Sequence, residues 1–318
     1  MKLVFITTRD NAAQGDLLEV SILHWLRSVL GSSCIDFPKK KTMYHDWSLA
    51  TKESLHGRGF TLYNSPLLDL TEDQRELKDI DAVLYGVSNM YNETNYPHID
   101  NLVDPRYIFY LDGHDLYGEA PKKIHFKGEH IIATQKSNCF KRELIEAKNK
   151  VWPTGFGIPK EQISPLDFQG KSQLFQKTAP DDASFRPVQD MGGGSTHHVF
   201  SDEKSYYKDI SSSWFGLTCK KGGWDCLRHY EIIAAGALLL FKDYNKKPSL
   251  CSPQGLPCFS YSSAEELENL FNSLIIQGKP TKEYIEMLLL QRRWLWHHGT
   301  TEARALNILR TINEQLSN

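Results

Sequence analysis

The sequence predicts an α/β protein built in two halves that face each other across a cleft. Three observations predict it. Apolar runs such as Leu3-Val4-Phe5-Ile6 and Ala237-Leu238-Leu239-Leu240-Phe241 are continuous rather than alternating, as strands of a parallel sheet covered on both faces require. Segments with helical spacing stand between such runs. A proline- and glycine-rich stretch at residues 151–159 interrupts the 318 residues near their middle, and at about 150 residues per domain the length suits two domains.

Taken in order, residues 2–7 read as a buried strand, and residues 17–30 as a helix with Leu18, Ile22, Trp25, Leu26 and Val29 on one side. Further strands are expected at 60–63, 82–85 and 107–111, and a charged helix at 139–149. The boundary at 152/153 separates a first domain, 1–152, from a second, 153–318. Residues 160–200 show no period; Pro165, Pro180, Pro187 and Gly192-Gly193-Gly194 mark them as irregular. Beyond them the pattern predicts a helix at 206–212, a strand at 214–218, a helix at 226–235 and strands at 237–241 and 259–261. An amphipathic helix at 264–274 and two closing helices at 282–296 and 301–316 complete the chain. Ligands of open α/β sheets bind beyond the carboxyl ends of the strands, which directs attention to the loops after Leu111, Thr218 and Phe241.

Composition narrows the function. Lys and Arg total 37 against 39 Asp and Glu, a formal charge of -2, which argues against nucleic-acid binding driven mainly by electrostatics. No apolar stretch approaches the roughly 20 residues that span a bilayer, and the short apolar start meets Arg9 and Asp10 at once, so a cytoplasmic protein without an integral membrane segment is expected. The six cysteines are expected to be reduced, and the spacings of Cys219 with Cys226 and of Cys251 with Cys258 are too wide for structural zinc. The pairs His197-His198 and His297-His298 point in divergent directions, so no metal site is expected.

The segment from Lys220 to Leu240 carries most chemistry. Gly222 and Gly223 follow a strand and precede a helix, where backbone N–H groups and the helix N-terminus can hold a phosphate. Asp225, Arg228 and Glu231 recur every three residues along one helix face, and one cation with two carboxylates suits a diphosphate and sugar hydroxyls. A solvated face capped by Asp225 is the structural alternative. Trp224, in the glycine turn, is the aromatic best placed to stack on a ligand, whereas Trp294 and Trp296 belong to the core face of a closing helix. Gly193, Gly194, Ser195, Thr196 and His197 form a second candidate ligand loop or a flexible connector; the loop fits neither a P-loop nor a dinucleotide fingerprint.

Asp225-x-x-Arg228-x-x-Glu231, followed by Ala234-Ala235-Gly236 and an apolar strand, resembles the donor-site signature of GT-B glycosyltransferases, particularly their exostosin-like and CgeB-like groups. Leu111-Asp112-Gly113-His114-Asp115, Phe140-Lys141-Arg142-Glu143-Leu144 and Trp296 to Arg304 match in the same order. The resemblance implies two Rossmann-like domains with C-terminal helices packing back, a nucleotide-sugar co-substrate, by frequency a UDP-sugar, on the second domain, and a glycan or other hydroxyl acceptor on the first. In that picture Glu231 accepts hydrogen bonds from ribose or sugar hydroxyls, and Arg228 meets the leaving diphosphate. Lys141 and Arg142 add to the same field or begin a helix with exposed charges.

The paired glutamates of retaining enzymes are incomplete, because the first position is Gly223. An inverting displacement is therefore expected, with a base from Asp112, His114 and Asp115; Asp112 is first by resemblance, and an Asp-Gly turn is its structural alternative. No Asp-x-Asp motif of the metal-dependent kind is present, so no obligatory cofactor is expected. The missing glutamate also fits a sugar-nucleotide or glycan-binding protein without turnover, and the architecture fits a sugar-nucleotide epimerase. DNA carrying hydroxymethylated bases is a minority acceptor; Lys39-Lys40-Lys41, Lys122-Lys123 and Lys220-Lys221 are the basic stretches that would hold it.

Overall fold

The computed structural model describes residues 1–7, 17–44, 54–63, 77–86, 103–115, 124–126, 129–131, 138–178 and 199–317. A first sheet contains β1 (Leu3–Ile6), β2 (Cys34–Phe37), β3 (Ala82–Gly86), β4 (Ile108–Asp112), β5 (Asn138–Lys141) and β6 (Val151–Pro153) in the order β2-β1-β3-β4-β5-β6. Every pairing in it is parallel. All four side chains of β1 are fully buried, which is why that run carries no alternation. A second parallel sheet holds β7 (Gln173–Phe175), β8 (Ser213–Cys219), β9 (Leu238–Lys242) and β10 (Phe259–Tyr261), in the order β10-β9-β8-β7.

The described helices are α1 (Leu17–Leu30), α2 (Glu203–Ser211), α3 (Leu227–Ala234), α4 (Ala264–Leu274), α5 (Lys282–Trp294) and α6 (Thr301–Leu316). Their starts follow the capping chemistry of the sequence: Asp202, Ser263, Thr281 and Thr300 accept the N–H of the residue three positions on. Gly236, at φ +84°, ends α3 in the left-handed region and turns the chain into β9. The closing helix α6 returns to the first half and packs on α1. Leu18, Ile22 and Leu26 share an apolar cluster with Ile308, Leu309 and Ile312. The His24 Nδ1 lies 3.3 Å from the Thr301 hydroxyl along the same contact.

The α/β class, the two parallel sheets and the returning C-terminal helices are as expected. Two predicted elements are not. Residues 60–63 form a buried turn, not a strand, with Thr61 at φ +69°; their apolar side chains fill the core from a loop. Residues 139–149 are not a helix, because 138–141 is β5 and turns follow. Lys141 and Arg142 are buried and paired inside the molecule rather than spread on a wet face. Strands β6 and β7, three residues each, are too short to show a period, and in β2 Asp36 breaks the apolar run. Finally, α5 widens into a π-turn at Leu295–Gly299, which turns Trp296 outward (49% exposed) while Trp294 stays in the core. No described helix is long and apolar enough to cross a membrane.

Candidate functional site

The loops leaving the carboxyl ends of β4, β5 and β8 meet between the two sheets, the position where α/β sheets bind ligands. Strand β4 ends in Asp112, which the parallel register sets beside Lys141, the last residue of β5. Lys141 Nζ donates to Asp112 Oδ2 at 2.7 Å. Asp112 Oδ1 accepts the His114 backbone N–H at 3.0 Å and lies 2.9 Å from His114 Nδ1. Burial alone would raise the Asp112 pKa, but the hydrogen bonds from His114 and the charge and hydrogen bond of Lys141 outweigh it and pull it down to about 2. An ionised carboxylate only accepts, so Nδ1 carries the proton and Nε2 holds the imidazole lone pair. The His114 side chain is 22% exposed, against 2% for Asp112, although its Nε2 atom is itself buried from solvent.

This pairing has a stability consequence. A carboxylate held at about 2 in the folded chain, against 3.8 ordinarily, stabilises the fold above pH 4. That contribution, about 2 kcal/mol, disappears as pH falls through the folded value. Acid titration of wild type against Asp112→Asn is expected to show this difference shrinking between pH 4 and 2.

Arg142 ties the same loop to the second half. Its Nε and one terminal nitrogen donate to the Gly113 carbonyl at 3.1 and 2.8 Å, and the latter nitrogen also pairs with Asp115. The other terminal nitrogen donates to the Asp225 carbonyl at 2.8 Å and to Glu143 Oε1 at 3.3 Å. The guanidinium lies over the Phe156 ring, 4.8 Å from its centroid. Glu143 is fully buried and in turn accepts the backbone N–H groups of Trp224 and Asp225 at 2.9 and 3.1 Å. Its pKa is raised, chiefly by burial.

These contacts correct three expectations. The N–H groups of Trp224 and Asp225, before α3, hold the protein's own Glu143 carboxylate rather than a phosphate. A Cβ at Gly223 would meet the buried Glu143 carboxylate, whereas one at Gly222 would meet only the exposed and movable carboxylate of Asp115. Trp224 is not a ligand-stacking residue; it is 6% exposed and packs on Phe241, with ring centroids 6.0 Å apart. Asp225 serves the fold as well, accepting Phe156 N–H at 2.9 Å and the Tyr230 hydroxyl at 2.8 Å.

Arg228 and Glu231, one turn further along α3, belong to a second group. Glu231 Oε1 accepts the Thr61 hydroxyl at 2.5 Å, and Oε2 the Tyr206 hydroxyl at 2.6 Å. Burial raises the Glu231 pKa, against the opposing effects of Thr61, Tyr206 and the Arg228 charge. The structure thus gathers Asp112, His114, Asp115, Lys141, Arg142, Gly222, Gly223 and Asp225 around one junction, with Arg228 and Glu231 beside it. Gly193, Gly194, Ser195, Thr196 and His197 lie outside the described residues, as do Lys122 and Lys123. Lys40 is buried near Glu19, so it adds no charge to an exposed basic patch. Among the described residues no group of three or more His, Cys, Asp or Glu could hold a metal ion.

Thr61, Tyr206, Glu143 and His229 went unsingled in the sequence. Glu143 alone had a signal there, since it stands in Phe-Lys-Arg-Glu-Leu. His229 is fully buried, with Nδ1 3.1 Å from the Thr218 hydroxyl and Nε2 3.0 Å from the Trp224 carbonyl. The carbonyl only accepts, so Nε2 carries the proton and Nδ1 accepts from Thr218. Burial lowers its pKa to about 4. The unfolded chain therefore binds this proton first, and stability falls as pH drops from 6.5 toward 4, by up to about 3 kcal/mol. His229→Gln is expected to flatten that part of the pH–stability curve, measured by denaturant unfolding.

No family model matches the chain, and no curated protein matches it. Among solved structures, the chain resembles Anabaena Alr3699/HepE in complex with UDP and glucose, at 8% identity over 99% of this chain and 100% of that one, with a TM-score of 0.45. Trehalose-6-phosphate synthase, OtsA, is similar at 11% identity over 99% of both chains, with a TM-score of 0.43. A chain of the GtfA/B complex is similar at 13% identity and a TM-score of 0.36; 74% of this chain is covered, and it spans about half, 53%, of that chain.

Proposed function

We propose that the chain is a glycosyltransferase of the exostosin-like or CgeB-like GT-B kind, moving a sugar from a nucleotide-sugar donor to a hydroxyl acceptor with inversion. The observation that carries this reading is the Asp112–His114 pair at the carboxyl end of β4, with Asp112 Oδ1 2.9 Å from Nδ1. Asp112 fixes the tautomer and stabilises the imidazolium that forms, so the base is assigned to His114 and Asp112 becomes its orienting partner. A carboxylate held at about 2 is itself too weak a base to compete with an imidazole for the acceptor proton at neutral pH.

The acceptor oxygen forms its bond to the anomeric carbon while its proton passes to His114 Nε2. The bond from that carbon to the diphosphate oxygen breaks, and the nucleoside diphosphate leaves with the electron pair. Arg228 supplies the cation for the leaving group, and Glu231 accepts donor hydroxyls. Lys141 and Arg142 act through Asp112 and the junction loops, because their charges are already engaged there. In this reading residues 1–152 carry the acceptor and 153–318 the donor, with UDP-sugars tried first and a glycan hydroxyl as the acceptor class.

A thermal-shift screen against UDP, GDP, CMP, dTDP and their sugar conjugates tests the donor assignment. One nucleotide family is expected to raise the melting temperature by about 2–4 °C or more at saturation. The rise should vanish in Arg228→Ala and Glu231→Ala. A full screen without a shift, or a shift kept by both variants, would contradict the assignment.

A further inference from the structure

The turn that replaces the expected strand at 60–63 closes on Glu231. Gly57, Arg58, Gly59 and Thr61 all have positive φ, between 57° and 69°. Glycine adopts this region freely, but for a β-branched residue such as Thr61 it is strained. A fully buried threonine keeps that conformation only where its contacts hold it. They come from the second half of the chain: Thr61 N–H donates to Glu203 Oε1 at 2.8 Å, and Gln162 Nε2 donates to the same Glu203 oxygen at 3.0 Å. Phe60 packs on the Tyr206 ring, centroids 5.8 Å apart.

The Thr61 hydroxyl has one proton, given to the Glu231 carboxylate at 2.5 Å; the Tyr207 hydroxyl, 2.9 Å away, must then donate to Thr61. With the Tyr206 hydroxyl at 2.6 Å on the second oxygen, Glu231 is met by two hydroxyl donors, one per carboxylate oxygen. A vicinal diol would present the same chemistry. Of the two protein donors, Tyr206 belongs to α2 in the second half, whereas Thr61 arrives from the first half on a strained loop.

We propose that Thr61 is a donor-affinity-determining latch: its hydroxyl occupies Glu231 in the absence of donor, and a donor hydroxyl must displace it to bind. This rests on the donor-site reading of Glu231. Displacement removes one of the contacts that tie Thr61 to the second half, so the occupancy of Glu231 couples donor binding to the contact between the halves.

Titration calorimetry with UDP, using wild type, Thr61→Gly, Thr61→Ser and Glu231→Gln, tests it. Thr61→Gly removes the hydroxyl and suits the positive φ, so it folds without strain; it is expected to bind UDP about tenfold tighter than wild type. Thr61→Ser keeps the hydroxyl and is expected to stay within about twofold of wild type. Glu231→Gln is expected to weaken UDP binding about tenfold or more. Weaker binding in Glu231→Gln with unchanged or weaker binding in Thr61→Gly would overturn the latch and leave the donor site standing. Unchanged binding in Glu231→Gln, or no binding of UDP by any of the four proteins, would overturn both.

Discussion

Replacing His114 by Gln is expected to lower the rate of sugar transfer by about 10²–10⁴-fold, the usual contribution of a positioned base, while leaving donor affinity unchanged. The expectation follows from where the imidazole sits: its Nδ1 is engaged by Asp112, and its side chain is more accessible than that of Asp112, although Nε2 itself is buried. Asp112→Asn is expected to give a loss of similar size for a different reason. An asparagine that turns its amide NH₂ to the ring would donate to Nδ1, placing the proton on Nε2 and removing the lone pair that accepts the substrate proton. It also deprives buried Lys141 of its counter-charge. Steady-state kinetics against the donor separates the two effects, because a lost base lowers kcat at constant KM. A variant at either position with wild-type kcat would remove the dyad from the mechanism.

Arg142→Ala is expected to be the most destabilising single change at the junction, by about 3–5 kcal/mol, since it strands buried groups that were paired. Five donor contacts reach Gly113, Asp115, Glu143 and Asp225 from one side chain that is 2% exposed. Lysine keeps the charge but lacks the planar fork, so Arg142→Lys should recover part of the loss rather than all of it. Adding Glu143→Gln to Arg142→Ala should cost less than the sum of the two single changes, because the neutral side chain no longer leaves a buried carboxylate without its cation. Urea unfolding of wild type, Arg142→Ala, Arg142→Lys, Glu143→Gln and the double variant measures these differences. Additive single and double effects would mean that Arg142 and Glu143 do not share one network.

The continuously apolar strands and amphipathic helices were legible in the sequence because burial on both faces or on one leaves an apolar signature, as in Leu3–Ile6 and Ala264–Leu274. What the sequence hid was context. Lys141 and Arg142 read as donor-facing or surface charge because sequence does not show that Asp112, Asp115, Glu143 and Asp225 converge on them from two sheets. Phe60 to Tyr63 read as a strand because a buried turn carries the same apolar residues, and the positive φ of Thr61 has no sequence signal. Trp224 read as a ligand platform because its neighbours are glycines, although those glycines make room for carboxylates. The candidate base was legible as a trio with Asp112 first by resemblance, and the proposal of His114 instead rests on the hydrogen bonds around Asp112.

The central claim, that this junction transfers sugars from a nucleotide donor with His114 as base, is tested most directly without knowing the acceptor. Water can take the acceptor's place, so the measurement is release of nucleoside diphosphate from a panel of sugar nucleotides by wild type and His114→Gln. The account predicts slow turnover of one sugar nucleotide by wild type and a loss of about 10²-fold or more in the variant, which still binds that donor. Equal release by both proteins, or none by wild type from any donor that it binds, would contradict it.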